Sequence, residues 1–196
     1  MQSRSNGSLF WPVLAFVTAL DVVTKGIAER ALAPQRIPHD VLGSALRLTL
    51  VYNPGAAFGL NLGQQSRWIF TALTVVALVI LGRLFLATRH GDVPRILALA
   101  FVCAGAMGNL LDRLRSPMGV VDFLDVGIGD ARWPTFNVAD MAVSVGAVLL
   151  AWVLWQEDRA DLTHDEQAMP VVPTTALGSD TAASLAAMPA EQGDVV

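Results

Sequence analysis

Asp122 and Asp140 are the two residues from which water-activating chemistry could be built. Two close carboxylates cannot both ionise cheaply, so they share a proton: one takes a proton from water while the other polarises a scissile carbonyl. Such chemistry requires neither a metal nor a covalent nucleophile. Asp122 sits in Val120-Val121-Asp122-Phe123-Leu124, a strand-like run in which it has no helix end to cap and no cation within four residues. Taken alone, it could equally be a solvent-facing strand residue. Asn137 and Asp140 stand three apart at the start of an apolar stretch. Free amides and the helix dipole favour a carboxylate there, so these two could simply cap a helix.

The other polar groups have helical spacing. Asn109, Asp112 and Arg113 lie at i, i+3 and i+4 and share a face. Asp112, beside a guanidinium, reads as a structural carboxylate. Asp21 and Lys25, acid then base four apart, read as a buried ion pair that positions the site. Rival chemistries are poorly supplied. His39, His90 and His164 are dispersed, no serine–histidine pairing or G-x-S-x-G elbow is present, and there is no phosphate loop or dinucleotide fingerprint. Gly127-Ile128-Gly129-Asp130 spells the G-x-G-D of presenilin-like proteases, but Arg132, Trp133 and Pro134 follow where that motif needs an apolar helix. It is read as a chance match in a glycine-rich turn. The lone Cys103 lies in an apolar run, which leaves no disulfide or cysteine metal site and makes it a small packing residue.

Four apolar stretches must position these groups: about Leu9–Ile27, Trp68–Leu86, Pro94–Leu114 and Val138–Trp155. Each approaches the ~20 helical residues that cross a bilayer core. With 54% hydrophobic and 15% charged residues in 196, and a mean hydropathy of +0.51, the composition is that of a small polytopic membrane protein. Alternating direction puts the end of the first span, the start of the second, the end of the third and the start of the fourth on one side, where the polar groups cluster. Carboxylates at membrane depth cost several kcal/mol by most estimates, so they mark a functional site unless paired. A proton-coupled transporter would space them along a path across the membrane, and a non-catalytic assembly factor would hold them only as paired structural groups. The first stretch lacks an A-x-A-like cleavage site and is expected to be retained as a helix. Outside the motifs, five arginines fall on the short-loop side and six on the other, which settles no orientation; arginine density around the turn near Arg89 points to that side as cytoplasmic.

The long connections carry β signals. Leu46 to Tyr52 alternates as a strand does, and Asn53-Pro54-Gly55 makes a turn. Val120 to Leu124, closed by Gly127 and Gly129, gives a second strand. The fold class expected is a membrane all-α core, four transmembrane helices with a small sheet perched on them, covering residues 1–157, with β segments at about 37–62 and 115–137. The formal charge of −4 hides an asymmetry: residues 156–196 carry eight acidic residues against Arg159, leaving +3 on the rest. Residues 158–196 read as a disordered acidic tail.

Five ordered blocks carry a family resemblance: Asp21-Val22-Val23-Thr24-Lys25, Asn53-Pro54-Gly55-Ala56-Ala57-Phe58-Gly59, Gly108-Asn109-Leu110-Leu111-Asp112-Arg113, Val120-Val121-Asp122-Phe123 and Phe136-Asn137-Val138-Ala139-Asp140. Over roughly residues 9–157 the chain resembles bacterial lipoprotein signal peptidases, also called signal peptidase II. The resemblance implies a multi-pass aspartyl endopeptidase of the bacterial plasma (inner) membrane, four transmembrane helices with a small extracytoplasmic β-cradle, with both termini and the acidic tail cytoplasmic and its site near the outer leaflet. It would cleave diacylglyceryl-prolipoproteins just before the lipidated cysteine. Asp122 and Asp140 would be the catalytic pair. Asn53, Asn109, Arg113 and Asn137 would line the site, with Asp21 and Lys25 supporting it. No metal or other cofactor and no nucleic acid is implied; the partners are the substrate and membrane lipids, and a monomer is expected. Phe58, between Gly55 and Gly59, is expected to form part of a lid that shields the peptide from water.

Overall fold

The computed structural model describes residues 6–55 and 65–168, with side chains as far as 159. Four long helices form: α1 (Gly7–Ala31), α2 (Ser66–Ala87), α3 (Val93–Arg115) and α4 (Val138–Ala168). Each is long and apolar enough to cross a membrane. Even α2, with 22 residues, spans roughly 33 Å against a hydrocarbon core of about 30 Å. The expected spans are therefore correct in number and place; most limits differ from the helix ends by no more than two residues, while α1 runs four residues further and α4 thirteen. Backbone hydrogen bonding, unlike hydropathy, continues through the polar residues at the ends. Asp92 starts α3, its carboxylate accepting from the Arg95 amide at 3.2 Å, with Pro94 in the first turn.

Polarity is arranged inside out. Val148 is 72% exposed and Phe16 69%, whereas Asp21 and Asn137 are fully buried. Extensive outward-facing apolar surface, with charged groups buried instead, is what lipid, not water, stabilises. At one end of the bundle, Asn6 donates from Nδ2 to the carbonyls of Thr88 and Arg89, tying the start of α1 to the α2–α3 turn. The polar residues singled out above gather at the other end.

There a four-stranded antiparallel sheet forms in the order β1 (His39–Leu42), β2 (Leu46–Asn53), β3 (Val120–Ile128), β4 (Ala131–Arg132). Ala28 and Leu32 of α1 pack with Leu50, Val121 and Phe123, which seats the sheet on the helix end. Strand alternation turns Asp122, between Val121 and Phe123, to the opposite face. The β2–β3 register pairs Val51 with Asp122 and Asn53 with Val120. It slips between Leu48 and Val51, so β2 lacks the clean burial alternation its sequence suggests.

Two expectations change. β3 does not close at Gly127 but runs to Ile128, and Gly129 and Asp130 form a two-residue hairpin turn to β4. Gly129 takes the positive φ of 57° that such a turn requires. The stretch from 158 onward, expected to be disordered, begins as helix, because α4 continues to Ala168. Nothing between Pro134 and Pro170 interrupts it, and extending an existing helix costs far less than starting one. Residues up to Gln156 form one compact unit and those from Glu157 a second. Residues 169–196, and the rest of the expected tail with them, lie outside the described residues.

Candidate active site

The site is built outward from Lys25, on the last third of α1. Its ammonium, 1% exposed, meets Asp21 Oδ2 at 2.7 Å, Asp112 Oδ2 at 2.9 Å and Asn109 Oδ1 at 2.9 Å. The ammonium is thus ringed by two carboxylates and an amide oxygen, the kind of pairing under which a buried charge is tolerated. Asp21 Oδ1 also accepts the backbone amide of Ala139 at 2.8 Å, a free donor in the first turn of α4. Asp112 Oδ2 accepts the Val121 amide at 3.3 Å. One buried cluster therefore fixes α1, α3, α4 and β3 to each other. The cation of Asp112 is Lys25 on another helix, not its neighbour Arg113; the structural reading of Asp112 stands with a different partner.

Lys25 also decides which way the Asn109 amide points. An ammonium only donates, so Asn109 Oδ1 faces it and Nδ2 faces the other way. That Nδ2 donates to Asp140 Oδ1 at 2.8 Å. Asn137 works by the same logic from the N-cap of α4. Its Oδ1 accepts the Asp140 amide at 2.9 Å, while Asp140 Oδ2 accepts the Asn137 amide at 3.2 Å. This reciprocal pair is a capping box with Asp in place of the usual Glu or Gln. The Asn137 Nδ2 is thereby turned to Asp122 Oδ1, at 2.7 Å, and is shared with Asn109 Oδ1 at 3.1 Å and the Val121 carbonyl at 3.2 Å. Capping and site-building, alternatives in the sequence, are here one arrangement: the cap aims Asp140, and the same asparagine holds Asp122.

Asp122 is 3% exposed, so the solvent-facing alternative is wrong. Its Oδ2 accepts from Asn53 Nδ2 at 3.3 Å, and Asn53 Oδ1 accepts the Gly55 amide at 3.0 Å in the turn after β2. Burial first, and then the charge of Asp140, push the Asp122 carboxyl up to about 7, against a smaller opposing pull from Asn53 and Asn137. Arg113 stands beside this group, donating to the Asn109 carbonyl at 3.3 Å, with its guanidinium 5.9 Å from the Phe70 ring centre. Asp21, Lys25, Asn53, Asn109, Asp112, Asp122, Asn137 and Asp140 are thus brought into one hydrogen-bonded network, with Arg113 at its edge. Phe58 lies outside the described residues.

Three contributors escape a reading of side-chain chemistry. Ala139 acts through its backbone amide. Gly108 acts by lacking a side chain, since a Cβ there would run into the Asp21 carboxylate and come within 3.3 Å of Ala139 Cβ. Ser66 Oγ donates to the Gly55 carbonyl at 3.1 Å, pinning the turn after β2 to the start of α2. Gly108 and Ala139 do stand inside the quoted motif blocks, the one available signal.

Four membrane-crossing helices closing on a buried carboxylate–carboxamide network define a multi-pass membrane protein equipped for acid–base chemistry at one end of its bundle. The family model described as Signal peptidase (SPase) II matches residues 13–156. Among curated relatives, a lipoprotein signal peptidase of Paraburkholderia phytofirmans is 44% identical over 153 residues, covering 76% of this chain and 86% of that protein. Another, from Syntrophus aciditrophicus, is 37% identical over 155 residues, covering 77% and 94%. A bacterial membrane enzyme solved by the in meso method at 2.3 Å superposes with a TM-score of 0.71 at 28% identity, covering 81% of this chain and 94% of that one. The chain belongs to the signal peptidase II family of aspartic peptidases.

Proposed function

We propose that this protein is an aspartyl endopeptidase that removes signal peptides from diacylglyceryl-modified prolipoproteins, cutting before the lipidated cysteine with water activated by Asp122 and Asp140. The observation that carries the reading is the single asparagine, Asn137, hydrogen-bonded to both carboxylates. The relatives, named lipoprotein signal peptidases, supply the substrate class, the signal peptides of lipoproteins.

Below about pH 7 Asp122 holds the shared proton. Asp140 takes a proton from a water whose oxygen attacks the scissile carbonyl carbon, and Asp122 gives its proton to the carbonyl oxygen. As the tetrahedral species collapses, the C–N bond breaks. Asp140 passes its proton to the departing cysteine amine, and a hydroxyl of the new carboxyl returns one to Asp122. The signal peptide leaves as an acid and the resting protonation is restored. A lipid-anchored substrate presents its bond at the bilayer edge, which suits a site at helix ends beneath a small sheet. We place that end at the outer leaflet of the bacterial inner membrane, with both termini cytoplasmic, as four crossings allow.

The test is a gel-shift assay of the purified chain with a diacylglyceryl-modified prolipoprotein. Wild type cleaves it without added metal, whereas Asp122→Asn and Asp140→Asn, both folded, do not. Cleavage surviving in either variant would break the mechanism, and no cleavage by wild type would return the site to the transporter or assembly readings.

A further inference from the structure

On the end of the bundle away from the carboxylates, a cavity of about 420 Å³ opens sideways between α1 and α2 with α3 behind it. Phe10, Trp11 and Leu14 form one wall, Leu78 and Phe85 the other, and Cys103 the back. Phe10 stacks on Phe85 with ring centres 4.0 Å apart, so α1 and α2 meet there and close one boundary of the cavity, and Trp11 meets Phe10 edge-on at 5.0 Å beside it. Gly82 also lines the cavity, and a Cβ built on it would touch nothing within 4 Å. Packing does not require that glycine; the space beside it is open.

The one charged lining residue is Arg83, exposed on an apolar helix four residues before its end. Among the described residues it has no carboxylate partner. A lone guanidinium at that depth extends its stem along apolar surface and carries its charge to the headgroup region. Trp11, 60% exposed, is of the type that settles at the same level. An apolar trough ending in an unpaired guanidinium matches a molecule with an acyl chain and an anionic phosphate. It does not match a signal peptide, whose basic n-region would meet Arg83 as a like charge.

We infer that this groove binds a glycerophospholipid from the leaflet on the side of the α2–α3 turn, its acyl chain between α1 and α2 and its phosphate on Arg83. The inference does not rest on the peptidase reading. Phosphatidylglycerol carrying an acyl-chain diazirine, photolysed with the full chain in detergent micelles, is the probe, with adducts mapped by mass spectrometry. Adducts are expected on Trp11, Leu14 and the facing turns of α2. Arg83→Gln should lower their yield about fivefold, the scale of one Arg–anionic-lipid contact. Gly82→Phe, which fills open space, should lower it too. Adducts on the lipid-facing Val145 and Val148 of α4 serve as the internal control and should stay constant. The inference fails if Arg83→Gln leaves groove labelling unchanged, if the matching diacylglycerol probe, which lacks phosphate, labels as strongly, or if a signal-peptide photoprobe takes the groove instead.

Discussion

At the residue scale, Asn137 separates capping from aiming. Asn137→Ala removes both, so it should cost about 1 kcal/mol for the lost cap and abolish turnover. Asn137→Asp keeps an acceptor for the Asp140 amide but loses the donor to Asp122 and adds a negative charge beside it. It should melt within a few degrees of wild type yet cleave at least tenfold more slowly. Thermal unfolding and kcat/KM together check this; a variant that kept its rate would show that the Asn137 donor is dispensable. The proton on Asp122 gives a second test. Cleavage should fall as pH rises through about 7, when that proton is lost. Stability has the same sign. The folded chain holds the proton more tightly than the unfolded one, so this group's contribution is complete below an ordinary carboxylate pKa of about 4 and is lost as pH climbs to about 7. A pH–rate profile flat to pH 9 would contradict the assignment. The sequence made Asp122 conspicuous because a strand offers it nothing to cap. It could not show the burial, which comes from β2, β3 and Asn137 meeting across 69 and 15 positions of chain.

At the element scale, the Lys25 cluster does the work of a clasp. Removing one member of a buried ion group strands the others, so Lys25→Met should destabilise by about 3–5 kcal/mol and release the Asn109 amide from its orientation. Gly108→Ala is the subtler probe. The new methyl must push on the Asp21 carboxylate, loosening the bond to the Ala139 amide at the start of α4. We expect roughly 1–3 kcal/mol of overpacking and a fall in kcat larger than any change in KM, because the site is displaced rather than removed. Chemical denaturation and steady-state kinetics would check both. The four helices were legible because a bilayer imposes a length that hydropathy records directly. The central strands were legible from β-branched and alternating residues. β1 and β4, four and two residues long, exist only through pairing with their neighbours, which no local pattern announces. The partnership of Asp112 with Lys25 was hidden for the same reason, being a contact across 87 positions in which the adjacent Arg113 offers a more obvious cation.

At the scale of the whole molecule, the chain divides by charge as well as by fold. Residues 156–196 carry a net −7 and the remainder +3. The family match ends at residue 156, and relatives are covered over 86% and 94% of their own length by only 76% and 77% of this chain. The extra length therefore lies outside the stretch that matches the family. Every residue of the hydrogen-bonded network precedes it, and Asp140, the last of them, is fixed by bonds to α3 and to its own helix cap. A chain truncated after Ala168, which keeps the described part of α4 intact, should match the full chain in kcat/KM within about twofold, the size of effects expected where no contact with reacting groups is lost. The truncated chain has lost three of the eight acidic residues of this segment, so it should bind anionic vesicles slightly better at low salt, a difference that salt screens away. A tenfold loss of turnover on truncation, with melting unchanged, would instead assign the tail a direct part in substrate capture and overturn the separation of charge from catalysis.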